Sequence, residues 1–183
     1  QEPFAHLVAA QCLLHISTTY WTSFSIDVKM DLRQSLLNFL WTYASTLTDF
    51  VSGSVTKLVC RITKLAWFDA AKAREINAEI AKFLDGSIEH NLVGLKLLNT
   101  LVIEMNTPTA GKTITAHRKI AVSFRDQGLL PIFQIVITTL TNLRAATSTQ
   151  MAPKESKLVH ASLCLAAECL SFDFIGTNPE ESA

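Results

Sequence analysis

Apolar residues recur along this chain at separations of three and four, the repeat that gathers side chains onto one face of an α-helix. The clearest run is 47–67, with Leu47, Val51, Val55, Leu58, Ile62 and Leu65. Segment 4–17 carries Phe4, Leu7, Val8, Cys12, Leu14 and Ile16, and segment 27–43 carries Leu32, Leu36, Phe39, Leu40 and Tyr43. A shorter piece, 75–84, shows Ile76, Ile80 and Phe83; segment 88–105 sets Ile88, Leu92, Leu95, Leu98, Val102 and Met105 on one stripe. Segments 117–125, 129–143 and 158–172 complete the set. Strand-like alternation hardly competes, so the pattern predicts an all-α protein.

The breaks between helices are equally readable. Gly86 is expected to end one helix in a left-handed cap, and Ser87 to cap the next. Asp126-Gln127-Gly128 reads as a break, with Pro131 in the first turn of the helix that follows. Residues 145–154 form a polar linker containing Ser148, Thr149 and Pro153, and the chain trails off from Ile175 to Ala183. Segment 129–143 is apolar on nearly every face and is expected to lie between neighbours. The strong stripes start near Leu47 and Ile88, a separation that fits the ~40–47-residue period of paired-helix repeats. Periodicity alone leaves a helical solenoid and an irregular bundle both open.

Composition sharpens this picture. The 183 residues are 49% hydrophobic and 17% charged, against a usual charged share of about 25%. So little polar surface suits helices covered on both sides, or a piece cut from something larger. Sixteen basic and sixteen acidic residues cancel, which removes the basic excess expected of a nucleic-acid binder. Two stretches without formal charge, 3–26 and 128–143, raise the question of a membrane. His6, Gln11 and His15 interrupt the first, while Gln134, Thr138, Thr139 and Asn142 punctuate a second that is shorter than the ~20 residues a span needs. Both read as buried helices without membrane insertion. The first residue is Gln1 and no basic n-region follows, so a secretory signal is not expected. Cys12, Cys60, Cys164 and Cys169 lack C-x-x-C spacing and sit in apolar helical patterns, as small buried hydrophobes of a reducing compartment do.

Catalytic chemistry finds little support. Gly111-Lys112-Thr113 ends like a phosphate-binding loop, but Asn106 stands where the first glycine of that loop belongs, and the preceding segment is a helix rather than a strand. Pro108 and Gly111 then punctuate a solvated loop between helices. His6, His15, His90, His117 and His160 lack metal-site spacing, and no nucleophile elbow is present. Asp173 reads as a helix-end residue bonding nearby amides. Trp21, Trp41 and Trp67 fall near helix ends, where they are expected to close gaps between packed helices; an exposed one would instead suggest a binding hot spot. No enzyme activity, cofactor or metal is expected.

Three stretches are more specific. "RITKLAWFD" (61–69), "HRKIAVSFRD" (117–126) and "CLSFDFIGTNPEES" (169–182), in this order and at these separations, resemble the exportin-7 branch of the importin-β-like transport receptors, the karyopherins. "IDVKMDLRQSLLNFL" (26–40) and "SIEHNLVGLKLLNTL" (87–101) add to the resemblance, which covers nearly the whole chain. Ala66 departs from it, standing where the branch would have glycine. The resemblance implies an α-α superhelix of HEAT repeats, an armadillo-like solenoid of antiparallel helix pairs. It also implies part of the N-terminal region of a longer receptor, with pairs near 27–67, 72–106 and 117–174. Segments 4–17, 47–67, 88–105 and 158–172 become inner helices; 27–43, 75–84 and the 117–143 region become outer ones.

Function follows from the same resemblance. It implies a nuclear transport receptor, an exportin, that binds Ran-GTP and protein cargo, meets nucleoporins at the nuclear pore, and shuttles between nucleus and cytoplasm. GTP and Mg would then be held by Ran, not by this chain. Contacts to Ran are expected from inner helices, and Lys57, Arg61 and Lys64, three and four apart, would project as one basic ridge. The plain alternative for that ridge is a solvated charged row. For the protein, it is a helical-repeat scaffold without Ran dependence. A piece lacking end caps is also expected to self-associate.

Overall fold

Ser25, Ser87 and Thr113 each stand just ahead of a helix and turn a side-chain oxygen onto an amide of its first turn. Ser25 accepts from the Val28 amide (3.4 Å), Ser87 from His90 (3.5 Å) and Thr113 from Ala116 (3.2 Å). Each satisfies one of the donors that a helix start leaves without an intrahelical partner. The Ser87 cap is the one expected from the sequence. The computed structural model describes residues 3–146 and 152–173. The linker residues Ser148 and Thr149, and the tail from Ile175, lie outside the described residues.

The chain forms α1 (Pro3–Thr19), α2 (Ile26–Thr42), α3 (Asp49–Leu65), α4 (Ile76–Leu84), α5 (Ile88–Asn106), α6 (Ile114–Phe124), α7 (Leu130–Ala146) and α8 (Pro153–Leu170). Short 3₁₀ turns, Trp21–Ser23 and Ala71–Glu75, lead into α2 and α4. No strand occurs among the described residues. α2 packs on α3, α4 on α5 and α7 on α8, so outer and inner members alternate along the chain. The inner members stack on one another, α1 against α3, α3 against α5 and α5 against α8. This is an all-α array of paired helices, with α1, α3, α5 and α8 in the layer the sequence assigned to inner helices.

The stripes read from the sequence become the core. Val51 and Val55 of α3 join Leu95, Leu98 and Val102 of α5 in one buried cluster, while Leu58 and Ile62 face the other way and pack with Trp21 and Met30 in a second. Gly94 lets α4 approach α5 closely, since a Cβ there would stand 2.9 Å from the Phe83 Cβ.

Four expectations need correction. Residues 125–129 do not break the helix; they form a π-helical turn that carries α6 straight into α7. Pro131 lacks an N–H and crowds the carbonyl four residues back, and a widened turn just before it accommodates both. Asn77 of α4 clamps this turn by donating to the Gly128 carbonyl at 3.2 Å. Gly86 is not left-handed, for Gly111 is the one positive-φ residue among those described. Gly86 is instead small for a steric reason: a Cβ there would come within 2.8 Å of His90 and 3.2 Å of Trp41.

The third correction concerns the two uncharged stretches. α1 buries only Ala10 and Ser17 and leaves Phe4, Val8 and Ile16 exposed. α7 exposes Leu130 and Ile137. Each packs by one face, because an apolar face without a neighbour in the chain stays open. Ile114–Ala145 is long and apolar enough to cross a membrane by length and composition. It nonetheless carries Arg118, Lys119, Arg125 and Asp126, and sets Ala121, Phe124, Ile132 and Val136 into the protein core. Fourth, Cys60 and Cys169 are buried, but Cys12 and Cys164 are exposed. They sit on the open faces of α1 and α8.

Candidate partner-binding site

The basic row of α3 does not project as one ridge. Lys57 is exposed, Arg61 is half-buried and Lys64 is buried. Arg61 donates to both carboxylate oxygens of Glu104 on α5, at 2.5 and 3.4 Å, and to the Thr18 hydroxyl of α1 at 3.2 Å. One side chain therefore ties three successive inner helices. Such a forked, charge-assisted pairing is among the strongest polar contacts available. Lys64 donates to the Glu104 carbonyl at 2.8 Å and to the Thr107 carbonyl, closing the C-terminus of α5. A cation there meets the negative end of the helix dipole.

The solvated charged row is corrected by the same geometry. Spacing placed Lys57, Arg61 and Lys64 on one side of α3, but that side faces α5 over its last two turns. Burial lowers the Lys64 pKa to about 8, opposed by Glu104 and assisted by the Arg61 charge. Glu104 is the residue that sequence reasoning missed. Its signal was present: an acid in the otherwise uncharged second half of α5, where a stripe of Leu and Val predicts burial.

A second strut joins the outer helices. Arg33 of α2 is almost fully buried; it pairs with Glu79 of α4 at 2.7 Å and donates to the Lys72 carbonyl at 3.1 Å. Its guanidinium also reaches the Thr63 hydroxyl of α3 at 3.5 Å.

The three resembling stretches, far apart in sequence, converge at the C-terminal end of α3. Trp67 donates to the Ser123 hydroxyl at 3.0 Å and meets Phe124 edge-on at 5.7 Å, and Phe124 contacts Phe172 at 5.8 Å. Asp69 accepts from Trp21 at 3.3 Å, and Lys29 lies over the Trp21 ring. The Asp173 backbone amide donates to Asn106 at 3.0 Å. Ala66, the departure from the resembling pattern, is buried at the C-cap of α3 with φ −88°, a conformation that needs no glycine. Trp21 and Trp67 close gaps as expected. Trp41 differs: it stays 41% exposed, edge-on to Phe83 and tilted against His90.

These features define a class, an array of antiparallel helix pairs cross-braced by buried ion pairs. No protein-family model matches the chain. Among individual proteins, the chain is 34% identical to Ran-binding protein 17 of Homo sapiens over 184 residues. It is 33% identical to Exportin-7-A of Xenopus laevis over 184 residues, and 35% to Ran-binding protein 16 of Drosophila melanogaster over 189. Each similarity covers 98% of this chain, which spans 17% of each relative's length. The resemblance to the exportin-7 branch, carried in the sequence by a few motifs, thus extends along nearly the whole chain.

Proposed function

We propose that this chain is part of the N-terminal array of a nuclear transport receptor of the exportin-7 kind. The whole protein binds Ran-GTP together with protein cargo, passes nucleoporins at the pore, and shuttles between nucleus and cytoplasm. What supports this is one observation: identity of 33–35% over 98% of the chain to proteins named exportin-7 and Ran-binding protein. The receptor has no reaction of its own to perform. GTP and Mg belong to the bound Ran.

The physical mechanism is coupling. Ran-GTP and cargo each favour the same arrangement of the stacked pairs, so each tightens the other, and loss of the γ-phosphate on Ran ends the arrangement. The Arg61–Glu104–Lys64 brace makes α1, α3 and α5 move together, which lets a contact at one pair be felt at the next. On this reading Lys57 offers its free ammonium to acidic groups on Ran. Arg61 presents only the edge of its guanidinium, and Lys64 holds α5 in place.

Charge reversal separates these roles in the full-length receptor. Lys57→Glu is expected to weaken capture of GTP-loaded Ran in a pull-down while the helical circular dichroism stays intact. Undiminished capture by Lys57→Glu removes that contact. Reversal of Arg61 or Lys64 acts through folding instead, because it strands Glu104. Cargo capture that ignores the nucleotide on Ran favours the scaffold reading.

A further inference from the structure

A cavity of about 200 Å³ opens beside the ends of α3 and α5, with Trp21, Leu65, Ala116 and Ile120 as its apolar lining. Lys64, Asp69, Thr109, Lys112 and His117 complete it. The Gly-Lys-Thr loop has its structural use here. The Lys112 amide donates to the Thr109 carbonyl at 3.1 Å, closing a turn whose third residue is Gly111 at φ +76°. That is the position where glycine accepts a positive φ without strain. The turn holds Thr109 and Lys112 on the same cavity.

The polar side of the cavity is under-used. Thr109 and His117 are each more than nine-tenths buried, yet the Thr109 hydroxyl and His117 Nδ1 have no hydrogen-bond partner. Buried polar atoms left unpaired are destabilising, so a ligand that pairs them is favoured. Lys64 spends two of its three N–H groups on carbonyls, so one remains. Asp69 already accepts from Trp21. Two ammonium groups against one engaged carboxylate leave the cavity net positive with His117 neutral.

We infer that this cavity receives the carboxylate of a glutamate side chain from an acidic peptide on a protein partner. A glutamate stem lies against the apolar wall of Trp21, Leu65, Ala116 and Ile120. Its carboxylate accepts from Lys64, Lys112 and the Thr109 hydroxyl, which reaches it by rotation about one bond. A free phosphate fits less well, since it has no apolar stem to cover the Trp21, Leu65, Ala116 and Ile120 lining. Burial first, and then the Lys64 and Arg118 charges, hold the His117 pKa below its ordinary value against the pull of Asp173. A bound carboxylate reverses that balance and raises it. The inference is independent of the Ran reading, which concerns Lys57 on the open side of α3.

The test uses the 183-residue chain and fluorescein-labelled Ala-Leu-Glu-Leu-Ala, followed by fluorescence anisotropy, with the Gln peptide as control. The Gln peptide is expected to bind at least about tenfold more weakly, the loss that goes with hydrogen bonds to a charged group. Thr109→Val and Lys112→Gln should each weaken the Glu peptide at least about fivefold without lowering the melting temperature. Acetate should compete, while phosphate at matched ionic strength should not. The His117 pKa, read by NMR, should rise when the Glu peptide is added. Equal binding of the two peptides, no binding of either, or unaltered binding by both variants overturns the inference. Competition by phosphate alone overturns the carboxylate assignment.

Discussion

The middle of this array and its two ends differ in what covers them. α3 has α1 on one side, α5 on the other and α2 behind, and ten of its residues are buried. α1 lies against α3 alone among the helices it packs on closely, and buries two. α8 has α5 and α7, but Leu163 and Leu170 remain open. A helix is therefore enclosed according to the neighbours it has: three cover α3, while α1 keeps a second apolar face open. Polar groups follow the same division. At the centre, Arg61 pairs with the Glu104 carboxylate and buried Lys64 bonds the Glu104 carbonyl, largely away from water. Near the end, Lys154 and Glu89 pair at the surface, at 2.6 Å, where water and salt weaken such a bond.

Breaking the centre gives the largest effect. Glu104→Ala leaves Arg61 and Lys64 enclosed without their acid, and is expected to cost about 3–5 kcal/mol in urea unfolding, the range for removing one partner of a buried pair. A loss under 1 kcal/mol would show that water, rather than Glu104, satisfies these cations.

A pH series sharpens the same point. Lys64 has a folded-state pKa of about 8, below its ordinary 10.5. Between those values the unfolded chain holds more protons than the folded one, so stability rises with pH, and below about pH 8 this contribution is flat. The difference in unfolding free energy between the wild type and Lys64→Met should therefore grow from pH 8 to 10.5. A difference independent of pH over that window would contradict the burial of the ammonium.

The ends should respond least in stability and most in association. Phe4→Ser with Leu170→Ser removes exposed apolar surface, so the unfolding free energy should stay within about 0.5 kcal/mol. Sedimentation should shift from self-associated species towards monomer. An unchanged sedimentation profile would mean that these two faces do not drive association.

How much of this was legible in sequence follows from range. Helix order and layer were readable because a 3.6-residue period is local, and Ser87 was readable because a cap acts on the next three residues. Gly128 misled for the same local reason: it reads as a breaker, and only the π turn clamped by Asn77 shows how the helix runs on through it. Lys57, Arg61 and Lys64 were correctly placed on one side of α3. Spacing carries no information about Glu104, which lies on another helix 43 residues after Arg61, so a row that looked free proved to be mostly a brace. Trp41 and the open faces of α1 and α8 escaped notice because exposure depends on which neighbours exist.

We propose that the whole receptor reads the nucleotide state of Ran through this array. The most direct test is equilibrium binding of the full-length protein to Ran loaded with GTP and, separately, with GDP, with and without cargo. The expected result is firm binding of the GTP form only, tightened when cargo is present. Equal affinity for the two forms, or indifference to cargo, would contradict it.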